Sequence, residues 1–220
     1  MRQERAVRTR RLILEAAASV FDEHGYEGAT INQVVARAGV TRGALYFHFT
    51  SKRELARGVL AEQFGRTDVP RRHCRLQEFV DLGMLVAHLM PRDPMLSAGA
   101  RLSLGRHPLG EPEGGASPGW IKRVEALLEA ADEAGELLPH VVPAETAWLM
   151  TGAWTGVRIQ SHKTADRSDL EHRVAVLYRH LMPSISVPGV LAALDLGEDR
   201  GERVAAELAQ ARASGTPDRA

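Results

Sequence analysis

The sequence predicts an all-α protein: a small three-helix head with a helix-turn-helix, followed by a larger helical body. Three observations carry that prediction. Apolar residues recur at three- and four-residue spacing through most of the chain, prolines and glycines fall at the ends of those runs, and no stretch alternates apolar with polar side chains as a half-buried strand would. The composition agrees: 220 residues, 44% hydrophobic, 25% charged and of zero formal net charge.

The first helix spans residues 8–24, with Leu12, Ile13, Ala16, Ala17, Val20 and Phe21 on one face and Gly25 as its C-cap. Thr30 opens the second ahead of Ile31, Val34, Val35 and Ala38, with Gln33 at capping-box spacing and Gly39 closing it. Thr41 caps a third helix over 41–47. Ser51 caps a fourth, with Glu54 again at the capping-box position and Leu55, Val59, Leu60 and Phe64 along it. Further helices are expected near 75–90, 94–104, 118–134, 144–163, 167–182, 187–194 and 199–211, with prolines near their ends, where proline is tolerated. The segment 105–117 reads as a Gly/Pro loop. The chain is expected to divide into a helix-turn-helix head over 1–50 with a basic N-terminal arm, a body over 51–212 and a disordered tail over 213–220.

Zero net charge hides an asymmetry. Residues 1–66 carry 11 basic and 7 acidic side chains, and five arginines including Arg5 and Arg8 crowd the first eleven positions. A basic front on an acidic body points to a polyanion partner. No apolar run approaches the roughly 18–20 residues of a membrane span, so no membrane role is expected. The charged start lacks the apolar core of a signal peptide, and Cys74 is the single cysteine, which fits a reducing cytoplasm. No HExxH, GxSxG, Walker-A or dinucleotide glycine pattern occurs, so neither an enzyme nor a metal or cofactor site is expected. Arg72, His73 and Arg75 flank Cys74 and could lower its thiol pKa, which would suit a thiol redox-sensing DNA-binding regulator; an exposed bystander cysteine fits the same pattern.

The stretch GVTRGALYFHFTSKREL, residues 39–55, concentrates aromatic side chains in a chain that is 5% aromatic. Helices over 30–38 and 41–47 joined by a Gly-containing turn form a helix-turn-helix. The second would offer base edges its N-terminal residues. Arg42 suits a bidentate pair with guanine, Thr41 a phosphate or a thymine methyl, and Gly43 lets the helix lie close. Tyr46 offers a phosphate its hydroxyl, with His48 and Lys52 beside the same strand. Phe47 and Phe49 are expected to turn inward. An ordinary aromatic core beside a solvated charged turn also fits this spacing.

Thr9–Leu60, with Gly25-Tyr26 and the Gly43-x-x-Tyr46-x-x-Phe49 core, resembles the TetR family of bacterial repressors. The resemblance implies a homodimer on double-stranded operator DNA, a helical body that binds a small releasing molecule, and DNA contacts at Thr30, Thr41, Arg42, Gly43, Tyr46, His48 and Lys52. PGWIKRVEALLEAADEAGELLPHV, WTGVRIQSH and LYRHLMPSISVPGVL resemble the γ-butyrolactone receptor branch, repressors of antibiotic production and development; the likeness covers roughly residues 5–205. That branch includes pseudo-receptors answering to antibiotics, furans or butenolides, and sequence leaves the two open, with Arg158 and the short 105–117 loop as points of departure.

Such a ligand needs an apolar tunnel with few polar groups. The resemblance implies Trp120 as a wall, though a core tryptophan fits its place as well. Val124 and Leu128 follow on its face, Met84, Leu85 and His88 stand opposite, and Gln63 and Thr155 are the candidate hydrogen-bond partners. Gly152 and Gly156, four apart in a helix, suggest close backbone approach. A dimer seam would use Trp148, Met150, Gly152, Gly156, Leu170, Val174, Leu177 and Leu181; packing within one subunit is the alternative.

Overall fold

The structure, a computed structural model, describes residues 2–104 and 116–214. Among them are eleven helices: α1 (Arg2–Gly28), α2 (Ile31–Ala38), α3 (Arg42–His48), α4 (Lys52–Glu62), α5 (Arg75–Leu89), α6 (Pro94–Leu104), α7 (Ala116–Glu133), α8 (Pro143–Ala165), α9 (Leu170–Leu181), α10 (Pro188–Ala193) and α11 (Arg200–Ala213). No β-strand forms among the described residues, so the all-α prediction holds. The loop expected at 105–117 lies outside the described residues up to 115, and α7 takes its last two positions. The expected tail lies outside them from residue 215.

The chain divides into two compact units, Met1–Arg66 with Asp93–Pro118, and Thr67–Arg92 with Gly119–Ala220. In the first, α1 buries Ile13, Leu14, Ala17, Val20 and Phe21, while Leu12, expected on that face, is 40% exposed. Gly25, at φ 68 and ψ 177, breaks the helical path one turn before α1 ends, a backbone that an L side chain adopts only under strain. The chain turns there into α2. Its capping box is complete: the Thr30 hydroxyl accepts from the Gln33 amide at 3.3 Å, and the Gln33 side chain accepts from the Thr30 amide at 2.8 Å. Arg37 then fixes α2 to α1 through two bonds to the Glu23 carboxylate, 2.5 and 2.8 Å.

At the start of α4 the expected reciprocal cap is split. Ser51 accepts from the Glu54 amide at 3.1 Å, but the Glu54 carboxylate turns to the amide and hydroxyl of Thr50, at 2.6 and 2.7 Å. Those hydrogen bonds, the hydroxyl's first, hold the Glu54 carboxyl below its ordinary pKa. Helix α6 belongs to this unit too, packed on α1 and α4. The Ser97 hydroxyl donates to the Asp22 carboxylate and Arg101 to the Asp22 carbonyl.

In the second unit α5 is the buried axis, with α11 and α9 packed on it and α8 packed on α9. Gly201 of α11 sits over the Met84 carbonyl and the His88 Cβ so closely that any side chain there would collide. Asp81, wholly buried, accepts from Arg72 and Arg200, each at 2.7 Å, and from Gln77 at 2.8 Å. The N-terminus of α5 is capped from afar: the buried Glu136 carboxylate accepts from the amides of Arg75 and Leu76 at 2.9 and 2.6 Å.

Candidate functional site

The helix-turn-helix is α2 and α3, and its core is small. Val34, Leu45 and Phe49 are buried, and the Thr41 hydroxyl accepts from the Ala44 amide at 3.1 Å to start α3. Seven residues make two turns, so with Leu45 inward Gly43 and Phe47 lie on the opposite face, with Arg42 and Tyr46 on its flank. All four are exposed, as is Thr41. The expectation that Phe47 lies inward is overturned: it is 81% exposed, because it stands some 200° around the helix from Leu45. Phe49, just past the helix end, does fill the core, against Gly58 of α4. The Phe47 ring stands edge-on to His48, centroids 5.1 Å apart, with His48 half-buried. The Arg42 guanidinium lies 5.6 Å from the Tyr46 ring centre, which orders the charge over the exposed face. Arg5 and Arg8 are exposed near the start of α1, and Thr30 is exposed at the N-cap of α2.

Lys52 takes a different set of partners from the phosphate expected for it. Its ammonium donates to the carbonyls of Tyr26 and Ala29 at 2.7 and 3.0 Å and lies 4.5 Å above the Tyr26 ring. It therefore ties the start of α4 to the end of α1 and to Ala29 just after it.

Residues 13–59 match the description "Bacterial regulatory proteins, tetR family". The A-factor receptor protein of Streptomyces griseus is 38% identical over 223 residues, covering 96% of this chain and 78% of that protein. The chain belongs to the TetR family. The crystal structure of TylP, a TetR regulator from Streptomyces fradiae, superposes with a TM-score of 0.84 at 40% identity, over 92% of this chain and 98% of that one. A γ-butyrolactone receptor described as ArpA-like superposes at 0.67 with 26% identity, over 92% and 98%. The protein is thus a DNA-binding regulator and not an enzyme.

In the second unit Met84, Leu85 and Leu128 are fully buried, Val124 is 8% exposed, and Trp120 and Thr155 are half-buried. His88 turns its Nδ1 to the Glu171 carboxylate, 3.2 Å from each oxygen. Gln63 is buried in the first unit, where its amide donates to the Leu60 carbonyl at 3.0 Å and its oxygen crowds Gly99 of α6. The residues named for a dimer seam separate into two groups. Leu170 and Val174 are wholly buried and Met150 nearly so in the single chain, so packing within the subunit accounts for them. Trp148 is 69% exposed, with Gly152 and Gly156 open beside it; Leu177 and Leu181 are half-buried.

The Cys74 thiol is not set up as a redox sensor. Burial first, then the Glu136 charge, pushes the Cys74 pKa up, opposite to what its basic flanks suggested. Arg72 and Arg75 cannot activate it, because Asp81, Glu207 and Glu78 hold their guanidiniums. Nothing in the sequence pattern singles out Thr151 and Trp154 of α8. Helical spacing from Arg158 was the available signal, but it marks a face and not whether a polar group there finds a partner.

Proposed function

We propose that the protein is a dimeric repressor that reads operator DNA with α3 and is released by a small signalling molecule, of the γ-butyrolactone type or one of the antibiotic, furan or butenolide ligands of pseudo-receptors, controlling antibiotic production or development. The exposed face Thr41, Arg42, Gly43, Tyr46 and Phe47 carries this reading. Arg42 pairs with a guanine edge, Tyr46 and Thr41 meet phosphates, and Phe47 offers apolar contact to a thymine methyl. Arg5, Arg8, Thr30 and His48 add contacts at the border of that surface. The likeness to the A-factor receptor and to the ArpA-like γ-butyrolactone receptor supports the releasing molecule. Trp120, Val124 and Leu128 on α7 and Met84, Leu85 and His88 on α5 are its apolar walls, with Thr155 as a polar contact. Gln63 and Lys52 act inside the first unit, through the partners already described.

Release needs the ligand to favour the form that cannot span two half-sites, and a tenfold loss of operator affinity takes about 1.4 kcal/mol of coupling. The test is a gel shift on DNA upstream of the protein's own gene, with and without solvent extract of spent producer medium. A specific shift abolished by extract is expected. A protein that shifts no upstream DNA would refute the repressor reading, and a shift indifferent to extract would refute release by a secreted signal.

A further inference from the structure

One face of α8 carries three polar side chains that no described residue satisfies. Thr151, Trp154 and Arg158 follow at three- and four-residue intervals, so they form one stripe, on the side that also holds the buried Ala147, Met150 and Ser161. The Thr151 hydroxyl and the Trp154 indole nitrogen are buried with no hydrogen-bond partner among the described residues. Arg158 is 6% exposed. No described acid compensates it; the charge acting on it is that of Arg167, a second cation. The acids at the following turn are engaged elsewhere. Asp169 accepts from Ser161 at 2.6 Å and Arg173 at 2.8 Å, and Glu171 faces His88 and Arg92, each at 3.2 Å.

The chemistry of the missing partner follows from the donors. A guanidinium and an indole N–H donate and accept nothing, so whatever satisfies them supplies acceptors. A neutral carbonyl would leave the buried cation at Arg158 uncompensated, which costs several kcal/mol, whereas a carboxylate cancels the charge and matches the guanidinium fork. Thr151 and Arg158 stand seven residues apart, about 10 Å along the helix, so one small group cannot reach both.

Resting on the reading of the protein as a ligand-released repressor, we infer that α8 receives an elongated small molecule through a carboxylate: the carboxylate pairs with Arg158, Trp154 donates to an acceptor one turn away, and Thr151 meets a second polar group toward the other end. The apolar body of the ligand lies between these groups. A neutral lactone lacks the charge that this site selects.

Spent medium of the strain carrying the gene is extracted with ethyl acetate at about pH 8 and then at about pH 3, since a carboxylic acid enters solvent only when protonated and a lactone does so at both. Each extract is added to the full-length protein on its operator. Releasing activity is expected in the acidic extract, at least about tenfold above the first. Arg158→Met should respond at least about tenfold less, with release read against that variant's own operator affinity, and Arg158→Lys should keep part of the response. Activity concentrated in the first extract, or an undiminished response in Arg158→Met, overturns the carboxylate and leaves a ligand-released repressor standing. Release by neither extract overturns both readings.

Discussion

At the scale of single residues, Arg42 tests the reading head. It is exposed at the start of α3 with its guanidinium steadied by the Tyr46 ring, and nothing in the core depends on it. Arg42→Ala should leave the melting temperature unchanged and weaken specific operator binding by about 1–3 kcal/mol. Equal losses on operator and random DNA, measured by fluorescence anisotropy, would make Arg42 a phosphate contact instead. Arg158 is the opposite case, a charge inside the fold. Burial, then the Arg167 charge, brings its pKa down to about 10. A base whose folded pKa is depressed subtracts stability at every pH below that value, and the penalty fades as pH rises through about 10. Arg158→Met should therefore stabilise the ligand-free protein near neutral pH, by about 1–3 kcal/mol in urea unfolding, with the gain shrinking in alkali. A loss of stability would mean that the guanidinium has a partner in the folded protein. Neither Arg158's isolation nor the outward turn of Phe47 was plain in the sequence. The Phe47 position was derivable from Leu45 by counting around the helix, but the isolation of Arg158 depends on where every acid of α8 and α9 has gone.

At the scale of elements, much was legible, because helix ends are written locally. Thr30 with Gln33, Thr41 with the Ala44 amide and Ser51 with the Glu54 amide each bond within three residues, so type and spacing suffice to place α2, α3 and α4. What joins helices to one another is not local. The capping of α5 by Glu136, 60 residues away at Leu76, leaves no trace in periodicity. The grouping of α6 with α1 and α4 likewise depends on Asp22, Ser97, Arg101 and the Gln63–Gly99 fit. The packing of α5 on α9 is the sharpest such fit. A Cβ at Gly83 would fall on the hydroxyl of Tyr178, which is 2% exposed and locked edge-on to Phe79 at 5.4 Å. Gly83→Ala gains helix propensity of about 1 kcal/mol, yet it should be destabilising by about 1–3 kcal/mol overall, because the buried ring has nowhere to turn. Thermal unfolding decides it. A higher melting temperature would show that α9 slides away at little cost.

At the scale of the whole molecule, a single reading head is a weak binder, and linking two heads converts the second contact into an intramolecular one. The outer face of α8 bears on how that link forms. Trp148 is 69% and Leu149 55% exposed, and one turn on from Trp148 the space around Gly152 is open, as it is around Gly156. Two glycines in a helix cost about 1 kcal/mol each against alanine, and no described residue uses the room they leave. A second copy of α8 crossing at Gly152 and Gly156, with Trp148 covered in the contact, would use it, and isologous pairing matches a two-fold operator. Gly152→Leu fills that room without touching the subunit's own core, so the monomer should keep its helix content and melting behaviour. Sedimentation at micromolar concentration should then show a monomer in place of a dimer, and operator affinity should fall by about 100-fold while α3 stays intact. A variant that remains dimeric, or one that is monomeric and still binds operator as the parent does, would remove this face of α8 from the assembly.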